Sequence, residues 1–337
     1  MKSLNKTKVM IIVVLTLIVV GAIVVGYFSI PRIFYEKRGD YYAVTGFYGS
    51  VKKVEIKETK NKLPVLEIDD YVFQDCGTIK EIVIPSSIQK IGKGILKGAI
   101  NLESMKVPFT DEINTLGYYF EATRYLDVPR SVTKVEINSE ITTLKENAFS
   151  ELSAITEIIL PNTITKIEAR AFEKCASLER VTLPENLEII GDYAFSHCLA
   201  LTSITLPSKV KEIGKYAFYN CNEMWQIEMP DTVSTIAEGA FSYCQKLEDV
   251  KLSNNITEIS EMLFDWCTRL KTIQLPLGIT KIGEKAFNNA VSLVEVNFPD
   301  GLEVIESRAF YNCKSLTDIT LPNSVKEIGE DAFTLNS

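Results

Sequence analysis

From residue 51 onward, apolar positions recur at the same offsets every 23 residues. Taking Leu201 as position 0 of a unit, they fall at +3 (Ile204), +5 (Leu206), +9 (Val210), +12 (Ile213), +16 and +17 (Ala217, Phe218) and +20 (Cys221), with Pro207 at +6. The unit that begins at Met224 repeats the scheme with Ile227, Met229, Pro230, Val233, Ile236, Ala240, Phe241 and Cys244. Apolar and polar residues alternate across +3 to +5, the period of a short half-buried strand. Proline at +6 ends that strand because it cannot donate to a ladder. A second β-leaning stretch covers +9 to +12. The glycine that often follows it (Gly191, Gly214, Gly283, Gly329) is expected to permit a sharp turn into the Ala-Phe segment. One such coil cannot enclose a core; stacked coils bury their shared Leu, Ile and Phe positions against each other.

Twelve units fit this register, starting at Val51, Ile79, Leu102, Val132, Ile155, Leu178, Leu201, Met224, Leu247, Leu270, Leu293 and Leu316. The first carries five extra residues around Lys57 to Pro64 and the third carries seven near Thr110 to Pro129. Such insertions map to loops on one face, where binding specificity often sits, although surface drift accounts for them equally well. The last unit runs from Leu316 to Asn336 with no capping sequence after it, so either its open side is expected to pair, or the final coil to fray, or the sequence is truncated.

The unit L-x-x-I-x-L-P, then I-x-x-I-G, then A-F-x-x-C resembles the BspA-like leucine-rich repeat of microbial cell-surface proteins, over residues 51–337. The resemblance implies a repeat solenoid of the α/β horseshoe class: a right-handed arc, β-rich with short turns and 3-10 segments, with a parallel sheet on its concave side. It also implies a recognition scaffold with no chemistry of its own; the fold alone names no ligand.

The first fifty residues fall outside the repeat. Residues 1–8 contain Lys2, Lys6 and Lys8 and are expected to form a cytoplasmic tail. Val9 to Ile30 then run for 22 positions without a charge, which suits an uncleaved transmembrane helix better than the shorter core of a signal peptide. Residues 31–50 are read as a juxtamembrane stalk. Basic residues flank the apolar run on both sides, so orientation rests on the short tail and the resemblance: N-terminus inside, repeats outside. The first fifty residues hold six Lys and Arg against two acids, so the chain's net −8 becomes −12 over residues 51–337. That balance opposes nucleic acid as a partner.

Charge and motifs narrow the chemistry further. Cys175, Cys198, Cys221, Cys244, Cys267 and Cys313 share position +20 with Leu152, Ala290 and Asn336, which marks a small buried slot for free thiols rather than disulfides or zinc. The single histidine, His197, shares +19 with Lys174, Asn220, Tyr243, Trp266, Asn289 and Asn312 and reads as a solvent-facing turn. Catalytic, metal and cofactor residues are therefore expected to be none. Acids at +14 (Asp192, Glu238, Glu261, Glu284, Glu330, with Lys215 among them) make calcium conceivable but unlikely, because carboxylates of a turn row splay into water. Arg38-Gly39-Asp40 spells an integrin tripeptide too close to the apolar run for a partner to reach.

Binding is expected on the outward strand positions beside +3. The candidate face comprises Arg180, Gln226, Glu228, Asp249, Lys251 and Gln274, with Trp225 and Lys271 one step outward; exposed Trp is a frequent interface anchor. The function expected is a membrane-anchored surface protein that binds an extracellular protein or glycan, in adhesion or a related role. The alternative is an envelope scaffold that docks other membrane proteins.

Overall fold

The computed structural model describes residues 30–110, 112–124 and 127–336. The expected cytoplasmic tail and residues 9–29 of the expected membrane span lie outside them. Among the described residues no helix is long and apolar enough to cross a membrane.

The period translates directly into stacked coils. Most coils contribute a short strand at +2 to +4, a two-residue strand at +11 and +12, and a tight turn segment from +14 to +20. Both strand rows are parallel and pair in a 23-residue register, as in Glu157↔Arg180 and Lys166↔Ile189. The first row opens with six strands, from Lys53–Glu55 to Arg180–Thr182. It then thins to one isolated bridge, Ser203↔Gln226, and continues as two separate pairs, Gln226–Glu228 with Asp249–Lys251 and Thr272–Gln274 with Glu295–Asn297. The turn segments form a third ladder in which Phe172, Phe195 and Phe218 N–H groups donate to the carbonyls of Ala194, Ala217 and Ala240 in the next coil. Backbone groups are thus satisfied between coils on all three sides.

The core is a column. Phe149, Phe172, Phe195, Phe218, Phe241, Phe264, Phe287 and Phe310 are fully buried, with ring centroids 4.9–6.0 Å apart and planes within 20°. Position +13 does not serve the expected turn. Its glycines answer a close approach: a Cβ at Gly191 would lie 2.8 Å from Glu168 backbone, and one at Gly329 would lie 2.3 Å from that of Ser307. The left-handed residues stand instead at +15 and +19, for instance Tyr193 and His197 at φ 56° and 60°, Lys285 and Asn289 at 55° and 60°. Two turns per coil therefore hold ordinary side chains where glycine is favoured.

Residues 31–50 are not a stalk. β1 (Arg32–Arg38) and β2 (Tyr41–Tyr48) form an antiparallel hairpin, and β2 pairs in parallel with Leu63–Ile68, extending the second strand row. The hairpin buries Ala43 and Val44 on the first coil. Arg38 at its tip reaches Asp69 at 2.7 Å and Glu67 at 2.7 Å, so the Arg-Gly-Asp tripeptide is part of a structural clamp. These carboxylates raise the Arg38 pKa further. Both insertions also fold onto the coils. Lys60, from the first, lies 4.2 Å over the Tyr35 ring. The second forms a 3-10 helix over Leu116–Phe120, whose Tyr119 is fully buried and donates to the Pro108 carbonyl. At the other end Ile328 and Leu335 remain half exposed.

Candidate functional site

Arg180, Glu228, Asp249, Lys251, Gln274 and half-exposed Gln226 face outward, because +3 and +5 point into the core and +2 and +4 alternate away from it. Trp225 and Lys271, at +1, stand before the strand and are exposed. Gln226, Glu228, Asp249 and Lys251 come together around a groove of about 370 Å³, floored by Ile204, Leu206 and Ile227. The groove opens where the first strand row thins to its single bridge. Glu228 and Lys251 form an ion pair across it, both largely exposed, and the carboxylate raises the lysine pKa. Trp225 immediately precedes the Gln226–Glu228 strand and is 48% exposed. Trp225, Arg180, Lys271 and Gln274 do not line this groove. Arg180 lies on the strand two coils earlier, and Lys271 faces Glu248 at 3.7 Å.

A second feature lies on the turn side. Tyr193 stacks on Tyr216 at 5.3 Å, Tyr216 meets Tyr219 edge-on at 5.8 Å, Tyr219 meets Tyr243 at 5.4 Å, and Tyr243 stacks on Trp266 at 5.7 Å. His197 joins the row, 5.2 Å from Tyr219 and with Nδ1 2.9 Å from Ser196 Oγ; partial burial lowers its pKa. Sequence reasoning saw only one of the columns involved, +19, and read it as solvent-facing. The row arises because residues from +15, +18 and +19 alternate from coil to coil, a pattern that no single column displays. Along it, Tyr216 donates to Glu238 at 2.6 Å, and Lys215 pairs with the same carboxylate at 3.0 Å. Glu261 has its pKa raised by partial burial and by the neighbouring Glu238, Glu284 and Glu306. Asp265, 7% exposed, hydrogen-bonds Asn288 at 2.7 Å, and burial pushes its carboxyl up to about 6.

The cysteines occupy the core. Cys175, Cys198, Cys221, Cys244, Cys267 and Cys313 are fully buried, and each thiol lies 3.1–3.3 Å from the phenylalanine carbonyl 26 residues earlier. Burial pushes Cys175, Cys244 and Cys313 up to about 12. Such thiols are protonated donors, unlike the exposed, acidified thiolates of catalysis. Among the described residues no three His, Cys, Asp or Glu side chains converge on a common metal position.

Residues 45–151, 125–222 and 211–337 match the model of the BspA type leucine rich repeat region of six copies. The chain belongs to this family. The BspA-type match extends over residues 45–337 and so takes in the whole run of stacked coils. No curated protein matches the chain. Solved structures similar to it include a leucine rich cell surface protein from Faecalibacterium prausnitzii (22% identity, 91% of this chain and 99% of that one, TM-score 0.41). Others are a leucine-rich repeat protein from Bacteroides ovatus (23%, 91% and 92%, TM-score 0.43) and the pneumococcal vaccine antigen PcpA (21%, 88% and 76%, TM-score 0.44).

Proposed function

We propose that this BspA-type repeat protein is anchored in a membrane by Val9 to Ile30, faces outward, and binds an extracellular protein or glycan without chemistry of its own. One observation carries the binding reading. The strand face opens into a groove at the break in its ladder, rimmed by Gln226, Glu228, Asp249 and Lys251, with half-exposed Trp225 beside it. Where the row is fully paired its face carries ion pairs between neighbouring strands, as Lys134 and Glu157 form at 3.0 Å; the Glu228–Lys251 pair is of the same kind but borders a concave surface. A concave site with convergent polar groups is a usual place for recognition, and the near-complete burial of Ile204, Leu206 and Ile227 makes this one mainly polar. The 22 uncharged residues before the solenoid support the anchor.

An array of purified matrix proteins and glycans, probed with the full chain, tests the binding. Specific retention that is lost on Trp225→Ala and on Lys251→Glu supports it. Retention indifferent to both substitutions removes the strand face from the account. Protease treatment of intact cells tests the anchor: digestion of residues 51–337 with the chain still membrane-bound is expected, and full protection contradicts it.

A further inference from the structure

The turn side carries a continuous row of half-buried aromatic rings, on a different part of each coil from the proposed groove. Trp266, at its end, is 38% exposed. Tyrosine and tryptophan gathered with a methionine, here Met262 with its sulfur 3.7 Å from the Tyr216 hydroxyl, is the composition of protein interfaces rather than of solvated surface. The surrounding charge selects among occupants. Glu261 sits among Glu238, Glu284 and Glu306 with Lys285 as the one opposing charge acting on it, and Asp265, beside Tyr243, accepts from the neutral amide of Asn288 with Lys285 acting on it without an ion pair. Anionic ligands are repelled there, and a second copy of a chain with net charge −8 brings the same sign. A sugar needs open ring faces, whereas these rings largely cover each other with interplanar angles of 17° and 18° in the two stacked pairs. The row already shows what suits it. At its first ring the Arg170 guanidinium stands 5.5 Å over Tyr193.

We propose that the Tyr193–Trp266 row is a second docking surface, which takes an arginine- or lysine-bearing segment of a partner polypeptide. Aliphatic stems lie along the ring edges, and the cationic heads reach the exposed carboxylate of Glu261, with the charge of buried Asp265 acting from behind the rings. Asp265 gives further support. A carboxylate buried with no ion-pair partner of its own, Lys285 acting on it only from a distance, costs stability where the same column elsewhere uses Ser196, Ser242 and Asn288, and such a cost fits a group kept for binding.

Calorimetric titration of the full chain with nona-arginine, at about 0.15 M salt so that distant charges are screened, tests this. Nona-glutamate and chitohexaose serve as the competing ligand classes. Nona-arginine is expected to bind, at least fivefold more weakly to Glu261→Gln and to Asp265→Asn, and more weakly again to Tyr243→Ser. Glu295→Gln, which removes one charge from the strand face, is expected to change binding less than twofold. Equal affinity across Glu261→Gln, Asp265→Asn and Glu295→Gln would mark diffuse attraction to an acidic chain and overturn the proposal. Absence of nona-arginine binding, or binding of chitohexaose or nona-glutamate that Tyr243→Ser abolishes, overturns it equally. Asp265→Asn retains the hydrogen bond from Asn288, so its fold is expected to survive.

Discussion

Position +20 illustrates how one residue type serves the stack. Alanine, as at Ala290, fills the slot; cysteine fills it and also places a weak donor on the phenylalanine carbonyl of the preceding coil. The donor exists only while the thiol keeps its proton, which the raised pKa values ensure. Ellman titration at pH 8 is therefore expected to find at most one reactive thiol in the native protein, half-buried Cys76, and seven after denaturation without reductant. Fewer than seven in the denatured chain would establish disulfides. Asp265 provides a second test at this scale. Its pKa is raised from 3.8 to about 6, so the folded protein holds the proton more tightly than the unfolded chain does. That contribution is complete below about pH 4 and lost as pH rises through about 6. Asp265→Asn is expected to raise stability at pH 7.5 by roughly 1–3 kcal/mol and to change it little at pH 4, as read by denaturant melts at both pH values.

At the scale of elements, the phenylalanine column ties each coil to two neighbours. Phe218→Ala removes a ring stacked on Phe195 and Phe241 and is expected to destabilise by about 3–5 kcal/mol, with the largest loss of amide protection in the adjacent coils. The hairpin is tied differently, through Arg38. Arg38→Met is expected to speed hydrogen exchange over 32–48 and leave 149–333 unchanged, because the clamp to Glu67 and Asp69 is local. The coil and its buried columns were legible in the sequence because stacking demands the same residue at the same offset. The hairpin was not, because it occurs once and shares no offset with the repeat. Its signals were the Gly39-Asp40 turn and the short aromatic-rich runs Ile33-Phe34-Tyr35 and Tyr41-Tyr42-Ala43-Val44 on either side of it, overshadowed by the apolar run before them. The left-handed positions were hidden for another reason. Backbone conformation there is imposed by neighbouring coils, so Tyr193, Lys285 and Trp266 adopt it with no glycine to announce it. The groove at Gln226–Lys251 follows from a missing strand pairing, which composition does not encode.

For the whole molecule, a parallel stack presents a polar strand face on one side and a turn surface on another, and in this chain each carries an interruption of its regular pattern. On the strand face the interruption is a groove with Trp225 at its margin; on the turn side it is the aromatic row ending at Trp266. The acidic repeat region leaves both surfaces accessible to neutral or cationic partners and disfavours polyanions. The central claim is recognition through the strand face. Its most direct test is the dissociation constant of the tightest array partner for the full chain and for Trp225→Ala. A loss of at least tenfold, about 1.4 kcal/mol, with unchanged thermal stability is the result expected. An unchanged constant would contradict the account, because the strand face around Trp225 would then play no part in binding.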